Sequence, residues 1–109
     1  MTYRMFLDDE RFPMDETAEI VRSSEEAFQM FLDKGFPLHI YFDHDLGGED
    51  TSMKFVNKLI EFMYDNPEKT PPKNFSYSIH SQNPVGANNI RNLMNGWLAV
   101  CYNIHNREM

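Results

Sequence analysis

The chain predicts an α/β fold on a small, mainly parallel four-stranded sheet, and three observations carry that prediction. Strand-like apolar runs alternate with helix-like amphipathic stretches, the pattern of βα units wound about one sheet. The three clearest runs, Tyr3–Leu7, Leu38–Phe42 and Phe75–Ile79, each end abruptly in polar residues: Asp8-Asp9-Glu10-Arg11, Asp43-His44-Asp45 and His80-Ser81-Gln82-Asn83. In parallel sheets the carboxyl ends of the strands open on one crevice, where such folds bind ligands, so the three polar clusters are expected to share a site.

The elements follow in order. Tyr3 to Leu7 is apolar enough for a buried strand, and the acidic loop containing Pro13 ends it. Ile20 and Val21 suggest a short second strand. Only about a dozen residues separate these two strands, barely the minimum for a crossover helix, so an irregular loop is expected there. Ser23-Ser24-Glu25-Glu26 offers a cap and early negative charge for a helix whose positions Ala27, Phe28, Phe31 and Leu32 share one face, with Gly35 and Pro37 stopping it. A helix from about Thr51 to Tyr64 places Met53, Val56, Leu59, Ile60 and Met63 on its inner stripe. Downstream of Gly86, Ile90, Leu93, Met94, Trp97, Leu98, Cys101 and Ile104 recur at helical spacing and predict one long terminal helix despite Gly96. The rival is a helix ending near Gly96, followed by a strand through Leu98–Tyr102. No linker or repeat divides residues 1–109, which are read as a single domain.

Composition narrows the function. A length of 109 residues with 41% apolar content suits one globular domain. The formal net charge of -7 opposes non-specific attraction to a nucleic-acid duplex, although a short RNA end or a nucleotide can still bind through a metal bridge. Cys101 has no partner in the chain, which rules out an internal disulfide and a Cys-based structural zinc site and suits a reducing, cytoplasmic setting. No signal-peptide pattern and no membrane-length apolar run is present, so no membrane partner is expected.

Adjacent carboxylates at one strand end, beside another acidic pair on a neighbouring strand, crowd hard oxygen donors into a small volume. Their repulsion is relieved by a cation, and Mg²⁺ or Mn²⁺ suits carboxylate, water and phosphate ligands. Asp8, Asp9 and Asp43 are the first-choice metal ligands, and Asp45 is a further ligand or proton acceptor. A solvated acidic loop is the bland alternative. His80 follows its strand directly and is the candidate general acid or base, with His44 behind it; His39 and His105 read as structural or exposed. Ser81 and Asn83 offer hydrogen bonds to a phosphate, and Gly86 allows close backbone approach at the start of the helix. Arg11 suits a bidentate phosphate clamp or, equally, an ion pair with Glu10 or another local carboxylate. Tyr41, Phe42 and the eight methionines read as packing.

Leu7-Asp8-Asp9-Glu10-Arg11 and Phe42-Asp43-His44-Asp45 resemble the acidic strand ends of response-regulator receiver domains, and Ser81 resembles their strand-end hydroxyl. Two features depart from that pattern: the first receiver helix is reduced or absent, and no strand-end lysine follows Ser81. Leu7–Pro13, Asp43–Gly47 and His80-Ser81-Gln82-Asn83-Pro84-Val85-Gly86 together resemble the cyclic-phosphate processing receiver-like family, over nearly the whole chain. That resemblance implies a receiver-like, flavodoxin-like three-layer fold and an activity on cyclic phosphates of nucleotides or RNA ends. Small free-standing proteins of this kind also occur in phages. The leading expectation is a metal-dependent phosphoesterase. The alternatives are a non-enzymatic module that binds a metal, a nucleotide or a protein, and a divergent phosphoacceptor receiver modified on Asp43.

Overall fold

In the computed structural model the described residues are 2–107, with side chains described through Cys101. Expectations for the side chains of Ile104 and His105 lie outside them. Four strands, β1 (Arg4–Leu7), β2 (Glu19–Val21), β3 (His39–Phe42) and β4 (Ser76–Ile79), form one sheet in the order β2-β1-β3-β4 with every pairing parallel. Helices α1 (Ser24–Lys34), α2 (Ser52–Asp65) and α3 (Pro84–Arg107) complete the α/β pattern. Segment 8–18 between β1 and β2 contains no helix, in keeping with the missing first receiver helix.

Alternation along the strands sorts the sheet into two faces. Met5, Leu7, Ile40 and Phe42, all fully buried, point into the core with Ala27 and Phe31 of α1, Phe55, Val56 and Leu59 of α2, and Ile90, Met94 and Trp97 of α3. Spacings of four and three residues put Ile90, Met94 and Trp97 on one side of α3, which explains why the helix runs through Leu98–Tyr102 instead of giving way to a strand. The opposite face carries Phe6, His39 and Tyr41. Part of it is covered by segment 8–18, through Asp15, which accepts from the Tyr41 hydroxyl at 3.4 Å and pairs with Arg4 at 3.7 Å. Tyr41 is therefore half-buried outside the main core. His39 has its ring nitrogens 2.6 and 3.0 Å from the hydroxyls of Ser76 and Ser78, a cross-strand structural role.

Two expectations about packing need correction. Leu32 is 47% exposed, because the inward positions of α1 are Ser24, Ala27 and Phe31, and Leu32 lies a hundred-degree step beyond Phe31. Met14 is fully exposed, since it belongs to the loop between β1 and β2 and not to a helix stripe.

Helix starts tie the layers to the strand ends. Ser23 caps α1 by accepting from the Glu26 amide at 3.1 Å, and Asp50 accepts from both the amide and the hydroxyl of Ser24, at 2.8 and 2.5 Å. These bonds outweigh partial burial and hold the Asp50 carboxyl below its usual range. At α2 the buried Ser52 donates its hydroxyl to the Asp43 carbonyl and its amide to the His44 carbonyl. Asn83 accepts from the Gly86 amide at 3.0 Å, the N-cap bond expected of an asparagine before a helix-starting proline.

The two helical glycines of α3 predict opposite outcomes. A methyl at Gly96 meets nothing within 4 Å, so Gly96→Ala is expected to stabilise the protein by about 0.5–1 kcal/mol. A methyl at Gly86 would run into the His44 imidazole, so Gly86→Ala is expected to cost about 1–3 kcal/mol. Urea denaturation of the two variants checks both signs.

Candidate functional site

The register of the sheet assembles the site. Leu7, Phe42 and Ile79 are lateral partners across β1, β3 and β4, so the next residues, Asp8, Asp43 and His80, come side by side at the sheet's carboxyl edge. Ladder bonds continue one step beyond the strands: Asp43 donates its amide to the Leu7 carbonyl at 2.9 Å, and His80 donates to the Phe42 carbonyl at 2.8 Å. Backbone pairing thus fixes the row before any side chain contributes.

Asp8 is fully buried, and three bonds hold its carboxylate. Oδ1 accepts from the amides of Glu10 and Arg11 at 3.0 and 2.9 Å, while Oδ2 accepts from His80 Nε2 at 3.0 Å. Burial pushes its carboxyl up, but the two amides and His80 prevail and hold it below the usual range. Asp43 goes the other way. Burial and the neighbouring Asp8 charge raise its carboxyl, outweighing the single amide of His44 that bonds to it at 2.9 Å. Asp9 completes the group: Asp8, Asp9 and Asp43 each offer an oxygen within 4.8 Å of the others. The turn Gly47-Gly48, with φ of 86° and 58°, passes close by, and a methyl at Gly47 would sit 3.2 Å from Asp9 Oδ2.

His80 is clamped on two sides. Its ring stacks on Phe6 with centroids 5.0 Å apart and planes 7° apart, and Nε2 is bonded to Asp8. Nδ1 is therefore the ring nitrogen left for other chemistry. Arg11 donates Nη1 to the His80 carbonyl at 3.3 Å and has no carboxylate partner among the described residues, so the alternative of an ion pair with Glu10 or another local carboxylate is not formed there. Its positive charge lowers the Asp43 carboxyl somewhat, which places the guanidinium in the field of the site.

Other sequence candidates stand apart. His44 Nδ1 bonds Asp45 at 3.0 Å, and the ring lies against Gly86, so that glycine makes room for an imidazole. Asp45 is mostly exposed and outside the three-carboxylate group, because β3 has ended and the chain has turned before reaching it. Ser81 accepts from the Asn83 amide at 3.0 Å, and with Asn83 it shapes the turn into α3. Arg22, just past β2, was not among the candidates. Its Nη1 donates to the carbonyls of Asp8 and Arg11 at 3.2 and 2.6 Å and braces the loop carrying both aspartates.

The opposed carboxyls of Asp8 and Asp43 make a testable pair. Ionised Asp43 destabilises the fold above its raised pKa, and the penalty fades as pH falls through that value towards the ordinary carboxylate range. Asp43→Asn is therefore expected to melt higher than the parent near neutral pH in EDTA, with the gap closing in acid. Calorimetry across that range checks it.

Residues 3–96 match the family model described as the cyclic-phosphate processing receiver domain. No curated protein and no solved structure matches the chain significantly. No helix among the described residues is long and apolar enough to cross a membrane.

Proposed function

The chain belongs to the cyclic-phosphate processing receiver family, and from that premise we propose that it is a metal-dependent phosphoesterase that opens the cyclic phosphate of a nucleotide or an RNA end. The observation that carries the proposal is the row Asp8, Asp43 and His80, with His80 Nε2 bonded to Asp8 and three carboxylates grouped beside it. The donor set fits a divalent cation: three hard oxygens lie close together, and the burial and repulsion that raise the Asp43 carboxyl are what a bound cation relieves. Held by Asp8, Asp9 and Asp43, Mg²⁺ or Mn²⁺ would neutralise phosphate oxygens and acidify bound water.

The chain's own residues supply the proton transfers. Asp8 accepts from Nε2–H, fixing the tautomer in which Nδ1 is free to take a proton from the attacking water. Water adds at phosphorus, the bond to one ribose oxygen breaks, and Nδ1–H returns the proton to that oxygen, leaving a phosphomonoester. Arg11, which has no carboxylate partner among the described residues, is the candidate phosphate clamp. Ser81 and Asn83 would contribute through the turn that they shape.

A second reading has its own support. The Asp8 carboxylate is already held by three hydrogen bonds, as expected of a module that binds without turnover. Assaying a panel of cyclic nucleotides and cyclic-phosphate RNA ends, with Mg²⁺, with Mn²⁺ and with EDTA, separates the two. Cation-dependent ring opening supports the enzyme, and saturable binding without product supports the module. Incubation with a small phosphodonor addresses the phosphoacceptor alternative, which requires an acyl phosphate on Asp43.

A further inference from the structure

We propose that Phe12 is a stacking platform for the base of the substrate, so that the crevice prefers cyclic phosphates carrying a nucleobase, purines above pyrimidines. This rests on the reading that the crevice takes a cyclic phosphate. Of the nine phenylalanines, Phe12 is the only one among the exposed large apolar side chains, at 77%. A single exposed phenyl ring is ordinary on a protein surface. This one is held in place. The Arg22 guanidinium lies 4.9 Å from the ring centroid, and the same Arg22 is pinned to the Asp8 and Arg11 carbonyls at 3.2 and 2.6 Å. Pro13 further restricts the Phe12 backbone.

One cation therefore ties together the backbone of a candidate metal ligand, the backbone of the candidate phosphate clamp and the face of an aromatic ring. A base on the open side of that ring would extend the guanidinium and phenyl pair into a three-layer stack, with its ribose phosphate directed along the same loop towards Asp8 and Asp9. Charge adds a reason for such a platform. A chain of net charge -7 repels an anionic substrate at long range, and the neutral base is where affinity can be gained. Stacking on an aromatic side chain contributes roughly 5- to 150-fold in affinity per base, and more ring area favours purines.

The test compares two ligands in the His80→Gln background, where their consumption is slowed: adenosine 2′,3′-cyclic phosphate and the methyl riboside 2,3-cyclic phosphate, the same sugar without the base. Calorimetric titration with Mg²⁺ present is expected to show the adenosine ligand binding roughly 5- to 150-fold more tightly. Adding Phe12→Ala or Phe12→Leu is expected to bring that ratio close to one, and Phe12→Trp to keep or widen it. Equal affinity for the two ligands, or a ratio unchanged by Phe12→Ala, overturns the platform. Turnover by the parent protein is scored separately. Ring opening of both ligands with no Phe12-dependent ratio removes the platform and leaves the phosphoesterase, and a Phe12-dependent ratio without ring opening does the reverse.

Discussion

His80→Gln is expected to lower kcat for ring opening by roughly 10²–10⁴-fold while leaving KM within a few-fold of the parent. Glutamine can still donate a hydrogen bond towards Asp8 and occupy much of the space over Phe6, but it cannot take up and return a proton near neutral pH. The loss therefore falls on the transition state and not on substrate binding. His80→Ala is expected to be similarly slow, with some additional loss from the stack on Phe6. Steady-state kinetics with a cyclic-phosphate substrate, and circular dichroism to show that both variants fold, make the measurement. Unchanged turnover in both would move proton transfer to another group, with His44 next in line.

Asp8→Ala is expected to be strongly destabilising, costing about 3 kcal/mol or more in metal-free protein. The buried carboxylate satisfies the amides of Glu10 and Arg11 and the ring N–H of His80, and alanine leaves all three without that acceptor. Asp8→Asn keeps an oxygen for the two amides but turns an amide group towards His80, so an intermediate loss is expected. Relief of carboxylate repulsion alone would predict unchanged or higher stability for Asp8→Asn; the hydrogen bonds reverse that sign. Because the Asp8 carboxyl is held below its ordinary range, its contribution is present above the unfolded carboxylate pKa and is lost as pH falls through the lower folded value. Urea denaturation at neutral and acid pH checks the size and the direction.

Much of this site is legible in the sequence for a simple reason: an apolar run that stops at a charged residue marks a strand end, and parallel strands end together. Asp8, Asp43 and His80 each follow such a run directly, and Asp9 follows Asp8. What the sequence leaves open is register, a matter of pairing between segments far apart in the chain. The bond from His80 to Asp8 spans 72 positions and depends on that pairing. Arg22 is legible as well. It follows β2 as Asp8 follows β1, and reading the end of the shortest strand by the same rule would have found it. Asn83 before Pro84 is a helix-cap signal as well as a possible hydrogen-bond donor to phosphate, and the structure uses its oxygen as the cap. The crowding of Gly86 against His44 depends on how α3 approaches the loop after β3, which no local pattern records.

Phosphorus NMR of a purine nucleoside 2′,3′-cyclic phosphate incubated with the protein tests the central claim most directly, because the cyclic diester and the opened monoester give separate signals. The account predicts conversion to monoester with Mg²⁺ or Mn²⁺ present, none with EDTA, and conversion slowed by roughly 10²–10⁴-fold in His80→Gln. An unconverted cyclic signal in the presence of either cation, from protein shown by calorimetry to bind the ligand, would contradict it and leave a binding module in its place.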